Sequence, residues 1–239
     1  MGRLVAVKLG GSLITNKDKG FSLNAASTSK AIDCISRSGV KIFLVHGGGS
    51  FGHHQAFRFG LSAKAREGAA GVSETKLAMQ ELNIWISYFM ISAGLRPFTI
   101  PPQFLDWRLV DKIADAGLVP VTHGDVYFDG RTSKIISGDH IMEEAVKNLT
   151  VERVVFALSV PGVLRDPNDP ESLIEELGSD FSFLDLSGVD VTGGMREKVK
   201  VALRIAKMGV NVAFVKGDTD EFIKALRDLP FRGTIIRGS

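Results

Sequence analysis

Short apolar runs alternate with longer amphipathic segments along this chain, and three of the alternations pass through a glycine pair or triplet. Val5-Ala6-Val7-Lys8-Leu9 leads into Gly10-Gly11-Ser12, and Val40-Lys41-Ile42-Phe43-Leu44-Val45 leads into His46-Gly47-Gly48-Gly49-Ser50. Thr192-Gly193-Gly194 precedes a segment in which Val199, Ala202, Leu203 and Ala206 recur at helical spacing. Between the first two strands, Asn24 is placed to cap a helix carrying Thr28, Ile32 and Ile35, which ends before Gly39. Further strands read at Arg96–Ile100, Leu118–Thr122, Val154–Leu158, Asn211–Val215 and Gly233–Arg237. Asp129-Gly130 is a hairpin turn signal between Val126-Tyr127-Phe128 and Lys134-Ile135-Ile136. Helices read at Ser73–Ser92, Asp139–Asn148 and Asp218–Arg227, the last with Asp218 and Glu221 spaced as a capping box. Alternating β and α units of this size predict the α/β class: a three-layer αβα sandwich around a mainly parallel central sheet.

The chain has 239 residues, enough for one compact body with a sizeable core. Asp166–Asp180 is polar and reads as a surface excursion. Lys and Arg total 29 against 27 Asp and Glu, so no net field gathers a polyanion and no basic cluster points to nucleic acid. The greasiest stretch, Ile84–Ala93, is broken by Ser87, Tyr88 and Ser92 and is too short to span a bilayer. The N-terminus runs straight into a strand, without the apolar region of a signal peptide, and a cytoplasmic protein is expected. The single cysteine, Cys34, excludes an intrachain disulfide and a cysteine-based metal cluster. Ser73–Ser92 is apolar around much of its girth, which predicts burial on two sides or a homodimer interface.

Glycine is in excess, 26 residues or about 11% against an average near 7%. Ligands of open α/β sheets bind beyond the carboxyl ends of the strands, where these glycine clusters fall. There, backbone N–H groups and a following helix N-terminus suit an anion. A lone glycine pair is ordinarily a βα turn; three such clusters point to phosphate. None has the GxxxxGK[ST] or GxGxxG spacing, which disfavours a P-loop NTPase and a dinucleotide-binding fold.

Most of the chain's lysines are solvated surface charges, but Lys8 ends a strand that should be buried on both faces, so it needs an anionic ligand or an Asp partner. Lys17 follows the first glycine loop, and Lys198 lies one helical turn beyond Gly194. Asp139, after Ser137-Gly138, reads most simply as a helix N-cap; alternatively it holds two lysines through charge-assisted hydrogen bonds. His46, His53 and His54 cluster around the second glycine loop. Adjacent histidines diverge and no HExxH spacing supports them, so phosphate contact by histidine is favoured over a metal. His54 reads as structural or exposed.

Taken together, Lys8-Leu-Gly-Gly-Ser-Leu-Ile-Thr-Asn-Lys17, His46-Gly-Gly-Gly-Ser-Phe-Gly-His53, Gly124-Asp125-Val126, Ser137-Gly138-Asp139 and Asp190-Val-Thr-Gly-Gly-Met-Arg-Glu-Lys198 resemble the amino acid kinase superfamily and, within it, the isopentenyl phosphate kinases. The terminal Gly233-Thr-Ile-Ile also fits, so the resemblance runs through the whole chain. The GGS and TGGMxxK stretches are common to the superfamily, while GGGSFGH with ITxK discriminates. A fosfomycin-kinase-like branch keeps a similar GGGxFGH and is the nearest competitor, and a non-catalytic sensor or storage protein on the same fold is a second alternative.

The resemblance implies ATP-dependent phosphorylation of isopentenyl phosphate, with Mg2+ between the nucleotide phosphates although no carboxylate ligand set is evident. It implies one domain over 1–239, with an acceptor-binding lobe over roughly 1–150 and a nucleotide-binding lobe over roughly 151–239. Lys8, Lys17, His53, Asp139 and Lys198 are then the catalytic set, Lys17 stabilising the transition state and Asp139 organising the lysines. Lys8, Gly10, Gly11, Ser12, Gly49, Ser159, Gly194 and Lys198 are the implied ATP contacts. Gly48, Gly49, His53, Gly138, Val126 and Ile136 are the implied acceptor contacts. Phe57, Val72, Met79 and Ile135 are further candidates for an apolar recess around the five-carbon tail. Two departures stand out. Relatives carry a TDVDGVY-like stretch at the nucleotide site, where this chain has Leu158-Ser159-Val160-Pro161-Gly162-Val163-Leu164; His140 follows Asp139 where a second acidic residue is frequent.

Overall fold

The computed structural model describes residues 4–16, 18–52, 69–128, 133–178 and 193–239. Lys17, His53, His54, Phe57, the Asp129-Gly130 turn and Asp190–Thr192 of the last motif lie outside the described residues. The strands are β1 (Leu4–Leu9), β2 (Ile42–His46), β3 (Pro97–Thr99), β4 (Val119–His123), β5 (Asp125–Phe128), β6 (Ser133–Ile136), β7 (Val151–Leu158), β8 (Glu176–Leu177), β9 (Asn211–Lys216) and β10 (Gly233–Ile236). Eight of them form one sheet in the order β3-β4-β2-β1-β7-β9-β10-β8. The strand pairs of this sheet are parallel except β9–β10. β5 and β6 form the separate antiparallel hairpin that their turn signal predicts.

The α-helices are α1 (Gly11–Ile14), α2 (Ala25–Ser38), α3 (Ala69–Ser92), α4 (Trp107–Asp115), α5 (Gly138–Asn148), α6 (Gly193–Ala206) and α7 (Asp220–Leu226). Strand alternation splits the core in two. Val5, Val7 and Leu9 pack with α1, α2, α3 and α7 on one face, while Leu4 and Ala6 pack with α4, α5 and α6 on the other. The three expected layers are therefore present. Each large apolar side chain so buried stabilises the fold by about 1.5–3 kcal/mol before entropy is counted.

Local signals explain part of this. The Asn24 side chain accepts from Ser27 N at 3.2 Å, Thr28, Ile32 and Ile35 are buried, and Gly39 ends α2 in the left-handed region at φ 64°. Other signals lost to distant partners. The capping box expected at Asp218 and Glu221 is not formed: α7 starts at Asp220, Asp218 Oδ2 accepts from Ser27 Oγ at 3.1 Å, and Glu221 pairs with Lys224 at 2.7 Å. Within the polar excursion, Ile174 and Leu177 are buried and Glu176–Leu177 adds the edge strand β8, pairing in parallel with β10. α3 buries Met79, Leu82, Ile86 and Met90 on one side only; Leu77, Ile84, Trp85, Tyr88 and Ile91 on the other are exposed in the single chain. Among the described residues no helix is long and apolar enough to cross a membrane.

This topology marks a place for a ligand. From β1 the chain builds outward through β2 and β4 on one side and through β7 and β9 on the other, so order reverses between β1 and β7. At such a switch point the flanking loops part at the carboxyl edge and open a crevice.

Candidate active site

Lys8 sits at that point, paired in register with Val45 of β2 and Phe156 of β7. Its side chain is 5% exposed, and its ammonium is held by Asp139 Oδ1, with the Phe156 ring centroid 6.0 Å away. The other carboxylate oxygen of Asp139 lies 3.5 Å from Lys198 Nζ, which also donates to Gly194 O at 3.2 Å. One carboxylate thus bridges two lysines from different elements, the second of the two readings of Asp139. The simpler reading is corrected: Ser137 is the N-cap of α5, its hydroxyl accepting from Asp139 N at 3.2 Å, which leaves the Asp139 side chain free for the lysines.

The electrostatics follow from burial. Desolvation pulls Lys8 down to about 8, against the opposing pull of Asp139 and with help from Lys198. Burial alone would raise Asp139, but Lys8 and then Lys198 outweigh it and hold its carboxyl below the usual range. The cluster is a buried anion between two cations, a net positive site at the switch point.

The two N-terminal glycine loops meet here, backbone against backbone. A Cβ on Gly11 would lie 2.4 Å from Gly49 N and 2.6 Å from Gly49 Cα, and one on Gly47 would lie 2.9 Å from Gly11 N. Gly49 has φ 48°, and a Cβ there would sit 2.0 Å from Thr15 Oγ1. Thr15 clasps the pair: its hydroxyl donates to Gly11 O at 2.7 Å and accepts from Ser50 N at 2.9 Å. Gly138 faces Lys8, a Cβ falling 3.1 Å from Lys8 Cε. Ser12, in the first turn of α1, meets Ser159 at the end of β7 with 3.1 Å between hydroxyl oxygens. Gly10 N donates to Ala157 O at 2.8 Å, which ties the first loop to β7.

Lys8, Gly10, Gly11, Ser12, Gly48, Gly49, Gly138, Asp139, Ser159, Gly194 and Lys198 therefore belong to elements that converge on one edge of the sheet. The apolar candidates are more dispersed. Val126 and Met79 are fully buried, Ile136 packs on the α4–α6 side of the core, and Ile135 is 55% exposed. A cavity of about 550 Å³ between α3 and the hairpin is lined by Val72, Ser73, Glu74, Lys76, Leu77, Gln80 and Phe128. Of the expected recess residues that are described, it takes only Val72. Lys76 fastens this side, donating to Asp125 Oδ2 at 2.7 Å and to Gln103 Oε1 at 2.6 Å.

Thr15 and the pair His46–His123 have roles that the motifs do not announce. The two imidazoles stack with centroids 5.2 Å apart, and His46 Nε2 lies 3.2 Å from Asn83 Oδ1. Burial, and secondarily His123, push His46 down to about 3, so it is a neutral structural ring. Their register pairing on β2 and β4 is the only sequence-distant clue, and it emerges only once the strands are aligned. Among the described residues no three His, Cys, Asp or Glu side chains gather as a metal site.

Comparison with known proteins agrees with this geometry. The amino acid kinase family model matches residues 3–217. The chain is 32% identical to the isopentenyl phosphate kinase of Thermoplasma acidophilum over 98% of its own length and 100% of that protein. It is 33% identical to the Arabidopsis thaliana isopentenyl phosphate kinase over 83% of this chain and 73% of the other. The crystal structure of the T. acidophilum isopentenyl phosphate kinase product complex superposes with a TM-score of 0.81 at 28% identity, covering 98% of this chain and 100% of that one. The chain belongs to the amino acid kinase family, on its isopentenyl phosphate kinase branch.

Proposed function

We propose that this protein transfers the terminal phosphoryl group of ATP to isopentenyl phosphate, forming isopentenyl diphosphate and ADP. The observation that carries the reading is the buried Lys8–Asp139–Lys198 bridge at the switch point, in a chain 32% identical over almost its whole length to an isopentenyl phosphate kinase. The acceptor is a phosphate monoester with a second pKa near 6, so its oxygen is already anionic at neutral pH and needs no general base. That oxygen attacks the terminal phosphorus while the bond to the β-phosphate bridging oxygen breaks and the electron pair leaves with ADP. The barrier to this step is repulsion between two anions, and fixed cations and backbone donors lower it.

Lys8 and Lys17 neutralise the group in transit, with Lys17 acting most strongly in the transition state. Asp139 holds Lys8 and Lys198 apart at fixed positions and keeps their charges in place. Gly10, Gly11, Ser12, Gly49, Ser159, Gly194 and Lys198 contact the nucleotide. Gly48, Gly49, Gly138 and His53 contact the acceptor phosphate, and Val126 and Ile136 belong to the wall toward its tail. Both oxygens of Asp139 face lysines, so this carboxylate is not offered to a cation; magnesium would be held by the nucleotide phosphates and would offset their charge. The acceptor half is residues 1–150 and the nucleotide half 151–239 of one domain.

The deciding experiment compares isopentenyl phosphate, dimethylallyl phosphate and fosfomycin as acceptors with ATP. ATP consumption dependent on a prenyl phosphate is expected, and it also excludes a silent sensor or storage protein. Turnover of fosfomycin without the prenyl phosphates overturns the reading.

The exposed row Leu77, Ile84, Trp85, Tyr88 and Ile91 supports a homodimer joined through α3, because a contiguous apolar face of this kind is costly in water. Sedimentation at assay concentration is expected to give twice the chain mass; a single-chain mass removes this part of the proposal.

A further inference from the structure

We propose that Lys216 is a nucleotide-binding residue, a cation for the nucleotide's phosphates nearer the ribose that replaces contacts missing from the end of β7. The inference rests on the assignment of the Ser12, Ser159 and Lys198 end of the crevice to ATP. Lys216 is the last residue of β9, half-buried, and paired in register with Leu158 at the end of β7. Val212 and Phe214 of the same strand pack into the core on the α4–α6 face, so the two-residue period turns Lys216 to that face as well. Gly217 agrees, since a Cβ there would meet Leu13 Cδ2 at 2.4 Å on the opposite face. Lys216 therefore shares the face of Lys8, Asp139 and Lys198, at the edge where α6 begins. Carboxylates on the neighbouring helices are engaged elsewhere, Glu143 with Arg204 and Glu221 with Lys224.

The neighbouring segment creates the need. Val163 and Leu164 are buried, Val163 N donates to Thr234 Oγ1 at 2.8 Å, and a Cβ on Gly162 would lie 2.5 Å from that same oxygen. Residues 161–164 are thus drawn onto β10, and β7 is left with the Ser159 hydroxyl as its polar side chain at the edge. No acidic or aromatic side chain stands in Leu158–Leu164 to hold a base or ribose. A phosphate contact from the adjacent strand is a physical substitute, because an ammonium on a flexible stem binds phosphate as a point charge. The position also fixes which phosphate. β9 lies two strands from β1, roughly 9–10 Å across the sheet, and Lys216 is two residues nearer the edge than Phe214, the residue level with Lys8 through Phe156. In the proposed reading the terminal phosphate is held by Lys8 and Lys17, which leaves the inner phosphates to Lys216.

The test measures KM for ATP and ADP affinity by calorimetry in Lys216→Ala and Lys216→Arg, with KM for isopentenyl phosphate as internal reference. Lys216→Ala is expected to weaken ATP and ADP by about tenfold, the lower range for a hydrogen bond to a charged group. Lys216→Arg should recover most of the loss, which also answers any concern over folding of the alanine variant. Unchanged ATP and ADP affinity in Lys216→Ala overturns the proposal, as does an equal rise in KM for isopentenyl phosphate. Lys198→Ala separates the two layers of argument. If it alone weakens ATP, only the Lys216 assignment fails; if neither variant does, the nucleotide end itself has been misplaced.

Discussion

Asp139→Asn should lower kcat/KM for isopentenyl phosphate at pH 7 by about two to three orders of magnitude, because Lys8 then loses its charge and removing one fixed electrostatic donor from a transition state costs about 10²–10³ in rate. The volume is conserved, so the loss is electrostatic. Lys8 is pulled down to about 8 chiefly by burial, and Asp139 is the group that opposes this. Once the carboxylate is gone, desolvation and the Lys198 charge both act downward, and Lys8 sheds its proton within the physiological range. The pH profile therefore carries the diagnosis. In the parent enzyme Lys8 has a folded pKa below its usual value, so its charge is present at low pH and is lost as pH rises through about 8. The kcat/KM of the parent should decline above that point, with an acid limb near the acceptor's second ionisation at about 6. Asp139 itself stays ionised across this window, since its folded pKa is depressed. In Asp139→Asn the alkaline limb should move to lower pH and the bell should shrink. An alkaline limb that stays where the parent has it would show that Asp139 does not govern the charge on Lys8. Since a neutral lysine is far cheaper to bury than an unpaired ammonium, the variant should remain folded at neutral pH.

How much of this was legible before the fold was known depends on how far apart the causes lie. Lys8 was readable because a charged residue closing a strand of Val and Leu needs a counter-charge, and the structure supplies Asp139 from α5, 131 residues on. The mainly parallel sheet was implicit in the alternation of elements, though its strand order was not, and Asn24 capped its helix because its partner is three residues away. Where a side chain had a choice, the local rule failed. Asp218 abandoned a cap for Ser27, and Ser137 took the cap that Asp139 was free to leave. Glu176–Leu177 sits in a polar stretch with no strand pattern, and only the open edge of β10 recruits it. Lys216 reads as an ordinary strand-ending lysine until alternation against Val212 and Phe214 assigns it a face.

The glycines test the deepest of these distinctions. By themselves, glycines at strand ends suggest backbone N–H groups reserved for phosphate, and on that reading Gly11 and Gly194 are equivalent. The structure makes them different. A Cβ on Gly11 would strike the backbone of Gly49 at 2.4 and 2.6 Å, whereas one on Gly194 meets nothing within 4 Å among the described residues. Backbone cannot rotate aside as a side-chain tip does, so Gly11→Ala has to push two loops apart. Overpacking of this sort costs about 1–3 kcal/mol, and the gain from replacing glycine at a helix position returns at most about 1 kcal/mol. For a chain of this length a net loss of about 2 kcal/mol lowers Tm by roughly 4–8 °C. The same displacement carries Gly48 and Gly49 away from Lys8, and a shift of about 1 Å in a positioned group can cost a hundredfold in rate. Gly11→Ala should thus lose both stability and turnover, while Gly194→Ala should melt no lower than the parent. If both variants keep the parent Tm, the first two glycine loops are spaced for anions alone. If only Gly11→Ala falls, the excess of glycine in this chain exists in part to let two loops touch, and the phosphate site is built on that contact.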